Sequence, residues 1–138
     1  GHHEWILNDI GVAGGDADAV RASRPGLATE LMVAYAYDLI QRGNPVGLMG
    51  MVHVLEGTST ALATQAAGSM AAALKLPPKA FSYLSSHGAL DVEHVGFFRD
   101  LVNQLETEED RVAVIQASRA FYHLYGEIFR QLHQERAS

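Results

Sequence analysis

Three short runs punctuate this chain of 138 residues: Arg24-Pro25-Gly26, Gly43-Asn44-Pro45 and Pro77-Pro78. Proline lacks an amide hydrogen and glycine tolerates backbone angles that other residues avoid, so such runs end one helix and start the next. Between them, apolar residues recur at spacings of three and four, the period of a helix buried on one side. Trp5, Ile6 and Ile10 form a first helix that meets Gly11 and Gly14-Gly15, and a short helix follows Asp16. Leu27 to Arg42 carries Leu31, Tyr35 and Leu39 on one stripe. Pro45 stands at the first position of a helix expected to reach about Leu76, where its missing N–H would be unpaired anyway. The next is expected from Pro78 to about Leu105, on Phe81, Leu84, Leu90, Val95, Phe98, Leu101 and Leu105. Thr107 caps the last helix, with Glu108, Glu109 and Asp110 at the positive end of its dipole, and that helix is expected to run to about Gln134. No useful stretch alternates with the period of a strand. The expected fold class is therefore all-α, with long antiparallel helices.

A hydrophobic content of 48% with 19% charged residues is enough to bury one core, and no linker-like stretch interrupts the chain, so residues 1–138 are expected to form a single helical domain. The formal charge of -6 speaks against nucleic acid or an anionic membrane surface as a partner. The absence of cysteine removes disulfides, thiolate metal sites, iron–sulfur clusters and cysteine nucleophiles. The apolar stretch from Pro45 to Leu76 contains His53, Glu56 and Gln65 and reads as a buried helix rather than a membrane span. No signal peptide is visible, and a cytoplasmic setting is expected. Gly47, Gly50, Gly57 and Gly68 each cost that helix roughly 1 kcal/mol relative to alanine, which favours close helix packing as their reason. Gly1-His2-His3 reads either as a tag scar or as the interior of a helix. Glu4 to Ile10 already looks helical with no capping residue before it, so ordered protein upstream is expected.

The segment richest in chemistry is Tyr83-Leu84-Ser85-Ser86-His87-Gly88-Ala89-Leu90-Asp91-Val92-Glu93-His94. At about 100° per residue, His87, Asp91 and His94 fall within roughly 60° of one another, in consecutive turns. Two imidazoles and a carboxylate on one helix face suit iron, manganese or zinc. Tyr83, Leu90 and Phe98 share that stripe, which argues that it faces inward. A second group, Met49, His53 and Glu56, also shares one helix face. Glu56 lies among Val54, Leu55 and Ala61, where an ionised carboxylate is costly unless it is paired or binds a cation, while His53 reads as a packed residue or one supporting a ligand. His2, His3, Glu4 and Asp9 form a third group. Tyr37, with Glu30 and Tyr35, could line a pocket or simply pack in the core. His123 and His133 read as part of a solvated face. There is no glycine-rich phosphate loop and no nucleophile elbow.

His87-x-x-x-Asp91-x-x-His94 resembles the last ligand helix of the heme-oxygenase-like di-iron oxidases and oxygenases, the iron-containing redox enzymes. That family carries a Glu-x-x-His ligand pair followed by a Trp and an Asp, and His2-His3-Glu4-Trp5 through Asp9 resembles the stretch beginning just after the Glu. Val54-Leu55-Glu56-Gly57 matches as well. The resemblance implies a heme-oxygenase-like helical bundle, lacking its N-terminal helices in this sequence together with the glutamates they contribute. It implies His2, His87, Asp91 and His94 as metal ligands and Glu56 as an added carboxylate, with His53, Asp9, Tyr83 and Tyr37 around them. The cofactor implied is non-heme iron, two ions, with manganese or zinc as alternatives. The same middle segment also resembles the distal helix of bacterial heme oxygenases, but Thr58-Ser59-Thr60 stands where that family has paired glycines. Thiaminase-II-like relatives share the fold and use a cysteine that this chain lacks.

The expected function is accordingly that of a metal-dependent oxidoreductase acting on a small organic substrate and dioxygen, with a homodimer as its assembly. A non-catalytic small-molecule or partner-binding module and a heme-binding protein are the competing expectations.

Overall fold

The computed structural model describes the backbone over residues 1–135 and the side chains of these residues except 59–61, 87–94 and 134–135. The described residues form helices and connecting turns, with no strand among them. Helix α1 spans His2–Val12, α2 Ala17–Ala22 and α3 Leu27–Arg42. A 3₁₀ turn, Pro45–Gly47, leads into α4, Leu48–Leu74; a second, Pro78–Phe81, leads into α5, Ser82–Val102; and α6 spans Glu108–Glu135.

Boundaries follow local chemistry. Asp16 caps α2 by accepting the N–H groups of Asp18 and Ala19 at 3.0 and 2.9 Å. Thr107 caps α6 by accepting the Asp110 N–H at 3.1 Å. Both proline starts differ from expectation in one respect: each proline opens a tight 3₁₀ turn, and the α-helix begins three or four residues later. The carboxyl end of α4 closes on Lys75, whose φ of 53° is left-handed, and the Leu76 N–H reaches back to the Ala71 carbonyl at 3.2 Å. That six-to-one bond is the helix-ending arrangement usually made with glycine. Helix α5 stops at Val102, and Gln104 and Leu105 continue in turns.

The chain divides into two compact units, Gly1–Arg24 with Glu56–Val95, and Pro25–Leu55 with Gly96–Ser138. In the second, Val54, Ala117 and Phe121 are buried, and Met32, Tyr35, Leu39, Met51 and Tyr125 pack around them. Tyr35 meets Phe121 edge-on at 5.0 Å between ring centroids. Gly50 of α4 lies so close to α6 that an added Cβ would sit 2.5 Å from the Ser118 nitrogen and 2.7 Å from the Val114 oxygen. Gly47 is similarly crowded, by Leu39 and by the Ala113 carbonyl. Close packing thus accounts for two of the four glycines. At Gly57 and Gly68 an added Cβ would meet nothing within 4 Å among the described residues.

In the first unit, Ala67, Ala80 and Phe81 are buried, with Ala71, Leu76 and Leu84 against them. Among the described residues no helix is long and apolar enough to cross a membrane.

Candidate metal centre

All five residues expected to bind metal belong to the first unit: His2 on α1, Glu56 on α4, and His87, Asp91 and His94 on α5. The α5 backbone is helical throughout Ser82–Val102, so the last three occupy one face by register. Their side chains lie outside the described residues. Among the described residues, no three of His, Cys, Asp and Glu come together as a metal-binding group.

The structure places His2 beside the start of α5. Its ring meets Tyr83 edge-on at 6.3 Å between centroids and leans on Trp5 at 5.3 Å. Tyr83 is half-buried and precedes His87 by one helical turn. Glu56, half-buried, is the first residue of the α4 portion assigned to this unit. His53 falls in the other unit, where its exposed ring stacks on Phe98 at 6.0 Å and 21°. Tyr37 is also in that unit and is 62% exposed. A shallow hollow there, of about 440 Å³, is lined by Tyr35 instead, together with Leu39, Asn44 and Gln116.

Asp9 is buried, at 8% exposure. Its Oδ1 accepts the Ser82 hydroxyl at 2.5 Å and its Oδ2 accepts the Tyr83 N–H at 2.8 Å. A carboxylate at the amino end of a helix meets the positive end of its dipole, an interaction worth about 0.3–1 kcal/mol at exposed sites and up to ~2 kcal/mol where partly buried. The residue that sequence reading missed here is Ser82. No periodicity could reveal it, because Ser82 and Asp9 are 73 positions apart.

Helix α1 is tied to α2 as well. Arg21 donates to both Glu4 oxygens, at 3.0 and 2.9 Å, a fork geometry suited to a carboxylate. The Arg21 hydrogen bond, followed by the attraction of its charge, holds the Glu4 carboxyl below its ordinary range. His3 lies 3.2 Å from the same carboxylate and is largely exposed.

The residues expected as ligands from the sequence, three imidazoles and two carboxylates with no thiolate, are of nitrogen and oxygen donor types, the types that would suit iron. The position of His2 against the first turn of α5 is consistent with such a set. Residues 1–126 match the family described as iron-containing redox enzyme. The chain belongs to that family. This iron-containing redox enzyme family member is also similar to a solved structure, a domain of unknown function with a heme oxygenase-like fold from Shewanella denitrificans, with a TM-score of 0.89 and 25% sequence identity. The match covers 99% of this chain and 59% of that one, so the chain spans about three fifths of that protein's length. Comparison with curated proteins gives no match. The family member is thus all-α with a heme-oxygenase-like fold, as its motifs led one to expect.

Proposed function

We propose that this protein is a non-heme di-iron oxidase or oxygenase that uses dioxygen to oxidise a small organic substrate, with His2, His87, Asp91 and His94 as metal ligands and Glu56 as an added carboxylate. The observation that carries this reading is the juxtaposition of α1 and α5 in a member of an iron-containing family. His2 packs against Tyr83, one turn before the His87-x-x-x-Asp91-x-x-His94 register.

Iron, when bound, supplies the electrons and coordination positions for dioxygen activation. The chain's own contribution is to hold the donors at fixed positions on three helices, α1, α4 and α5. A helix face presenting ligands at spacings of four and three sets their separations with little conformational freedom left to lose on binding. Trp5 and Tyr83 flank His2 with aromatic surface, which restricts the imidazole ring.

The deciding experiment is metal analysis of the native protein after anaerobic iron loading and exposure to oxygen. The expected result is about two irons per chain, with His87→Ala and Asp91→Ala each losing most of the metal. Less than about one metal per chain in the unaltered protein, unchanged by iron and oxygen, would defeat the proposal. If both variants keep small-molecule binding intact while the unaltered protein binds no iron, the non-catalytic module is the better account.

Heme binding is the competing reading, because Val54-Leu55-Glu56-Gly57 also resembles the distal helix of bacterial heme oxygenases. A Soret band on heme titration, lost in Gly57→Leu, would support that alternative.

A further inference from the structure

Asp9 stands apart from the donor set just described, although it lies on the same helix as His2. Both of its oxygens are committed: one accepts the Ser82 hydroxyl at 2.5 Å and the other the Tyr83 N–H at 2.8 Å. Among the described residues it is the buried charged side chain, at 8% exposure. A carboxylate so placed is expensive to bury unless hydrogen-bonded, and here its partners are two consecutive residues at the start of α5.

Its location explains why those partners matter. Asp9 and His2 are seven residues apart, two turns of α1, and within about 20° of the same face. Both meet Tyr83. His2 does so through its ring, at 6.3 Å between centroids, and Asp9 through the backbone N–H. His87 follows Tyr83 by one turn, about 6 Å along α5. A slide or rotation of α1 against α5 would therefore displace His2 from the His87 register, and the two Asp9 hydrogen bonds oppose that movement. Neither of the unit's core residues Ala67 and Ala80 offers comparable directionality, since apolar contacts tolerate sliding.

We infer that Asp9 is a positioning residue of the metal site, not a ligand: it clasps the first turn of α5 to α1 and thereby sets His2 against the ligand stretch of α5. This inference rests on the metal reading above.

The test compares Co²⁺ binding to the unaltered native protein and to Asp9→Ala, Asp9→Asn and Ser82→Ala, following both the dissociation constant and the visible absorption band under anaerobic conditions. Thermal unfolding of the metal-free proteins is measured alongside. Asp9→Ala leaves the Ser82 hydroxyl and the Tyr83 N–H without their acceptor, and Co²⁺ affinity is expected to fall roughly tenfold or more with a changed band. Asp9→Asn can still accept the Tyr83 N–H and donate to the Ser82 oxygen, so affinity is expected to recover to within about threefold of the unaltered protein, with the original band. Ser82→Ala removes one of the two bonds and should fall between them. A simple fold-stabilising role predicts a lower unfolding temperature for Asp9→Ala with unchanged Co²⁺ affinity and band, and that result overturns the inference. Should Asp9→Ala fail to fold, unchanged binding in Ser82→Ala overturns it equally. If the unaltered protein does not bind Co²⁺ at all, the metal reading itself fails and takes this inference with it.

Discussion

Around Phe121, branched and aromatic side chains close on a fully buried ring; around Phe81, the buried neighbours are alanines, and the same unit also holds a buried carboxylate. The first arrangement is an apolar core drawn tight by the glycine contact of α4 with α6. The second adds directed bonds to its buried residues: Asp9 to Ser82 and Tyr83, and Arg21 to Glu4. Hydrogen-bonded clasps hold specific positions, whereas apolar burial supplies most of the free energy of folding. The proposed ligands belong to this unit.

The comparison breaks most readily at the two phenylalanines. Phe121→Ala is expected to lower stability by about 3–5 kcal/mol, measured by denaturant unfolding, because the ring is wholly enclosed and the tight crossing beside it resists collapse. Phe81→Ala, among small neighbours, should cost less; equal losses would show that the two cores are energetically alike. Glycines on α4 sharpen the contrast with opposite signs. Gly50→Val is expected to destabilise by roughly 2 kcal/mol or more, since backbone atoms of α6 occupy the space. Gly68→Ala, with nothing within 4 Å among the described residues, should stabilise by about 0.5–1 kcal/mol through helix propensity. A loss at Gly68 would mean that its neighbourhood is as crowded as that of Gly50.

The smallest expected effect concerns acid. The Asp110 carboxyl is held below its ordinary range first by the Asn44 amide, 2.8 Å from Oδ1, and then by the Thr107 hydroxyl at 2.7 Å. Between the lowered native pKa and the ordinary unfolded value the unfolded chain binds more protons, so stability rises with pH there. This contribution is complete above about pH 4 and disappears as pH falls through the native value. Asp110→Asn should flatten that acid limb. An unchanged pH profile would remove Asp110 from the bonds that steady the second unit.

Local signals were legible because their causes are local. Pro25-Gly26 and Gly43 bound α3 at Leu27 and Arg42 as expected, and Thr107 caps α6. Pro45 and Pro78 open 3₁₀ turns instead of α-helices, a distinction that depends on packing and that the residues alone do not express. The glycine argument held at Gly47 and Gly50, where another helix or side chain crowds in, because a missing Cβ signals need for space without naming what fills it. The proposed ligands His87, Asp91 and His94 were picked out by register, which the helical backbone of α5 preserves. What register could not give was the partner of Asp9, or the separation of His53 and Tyr37 from His2 into another compact unit. Those facts depend on contacts between residues distant in sequence, and helical periodicity carries no information about them.

The amino end of α3 offers a different lesson. Gly26 provides no side-chain cap, and the Ala28 N–H is instead accepted by Gln131 at 3.1 Å, a residue 103 positions later near the end of α6. An added Cβ at Gly26 would stand 2.8 Å from the same amide, so glycine leaves room for the borrowed cap. During synthesis, which proceeds from the amino end, the start of α3 must therefore wait for Gln131, 103 positions later, before its cap exists. The beginning of this helix is completed by a side chain made 103 residues after it.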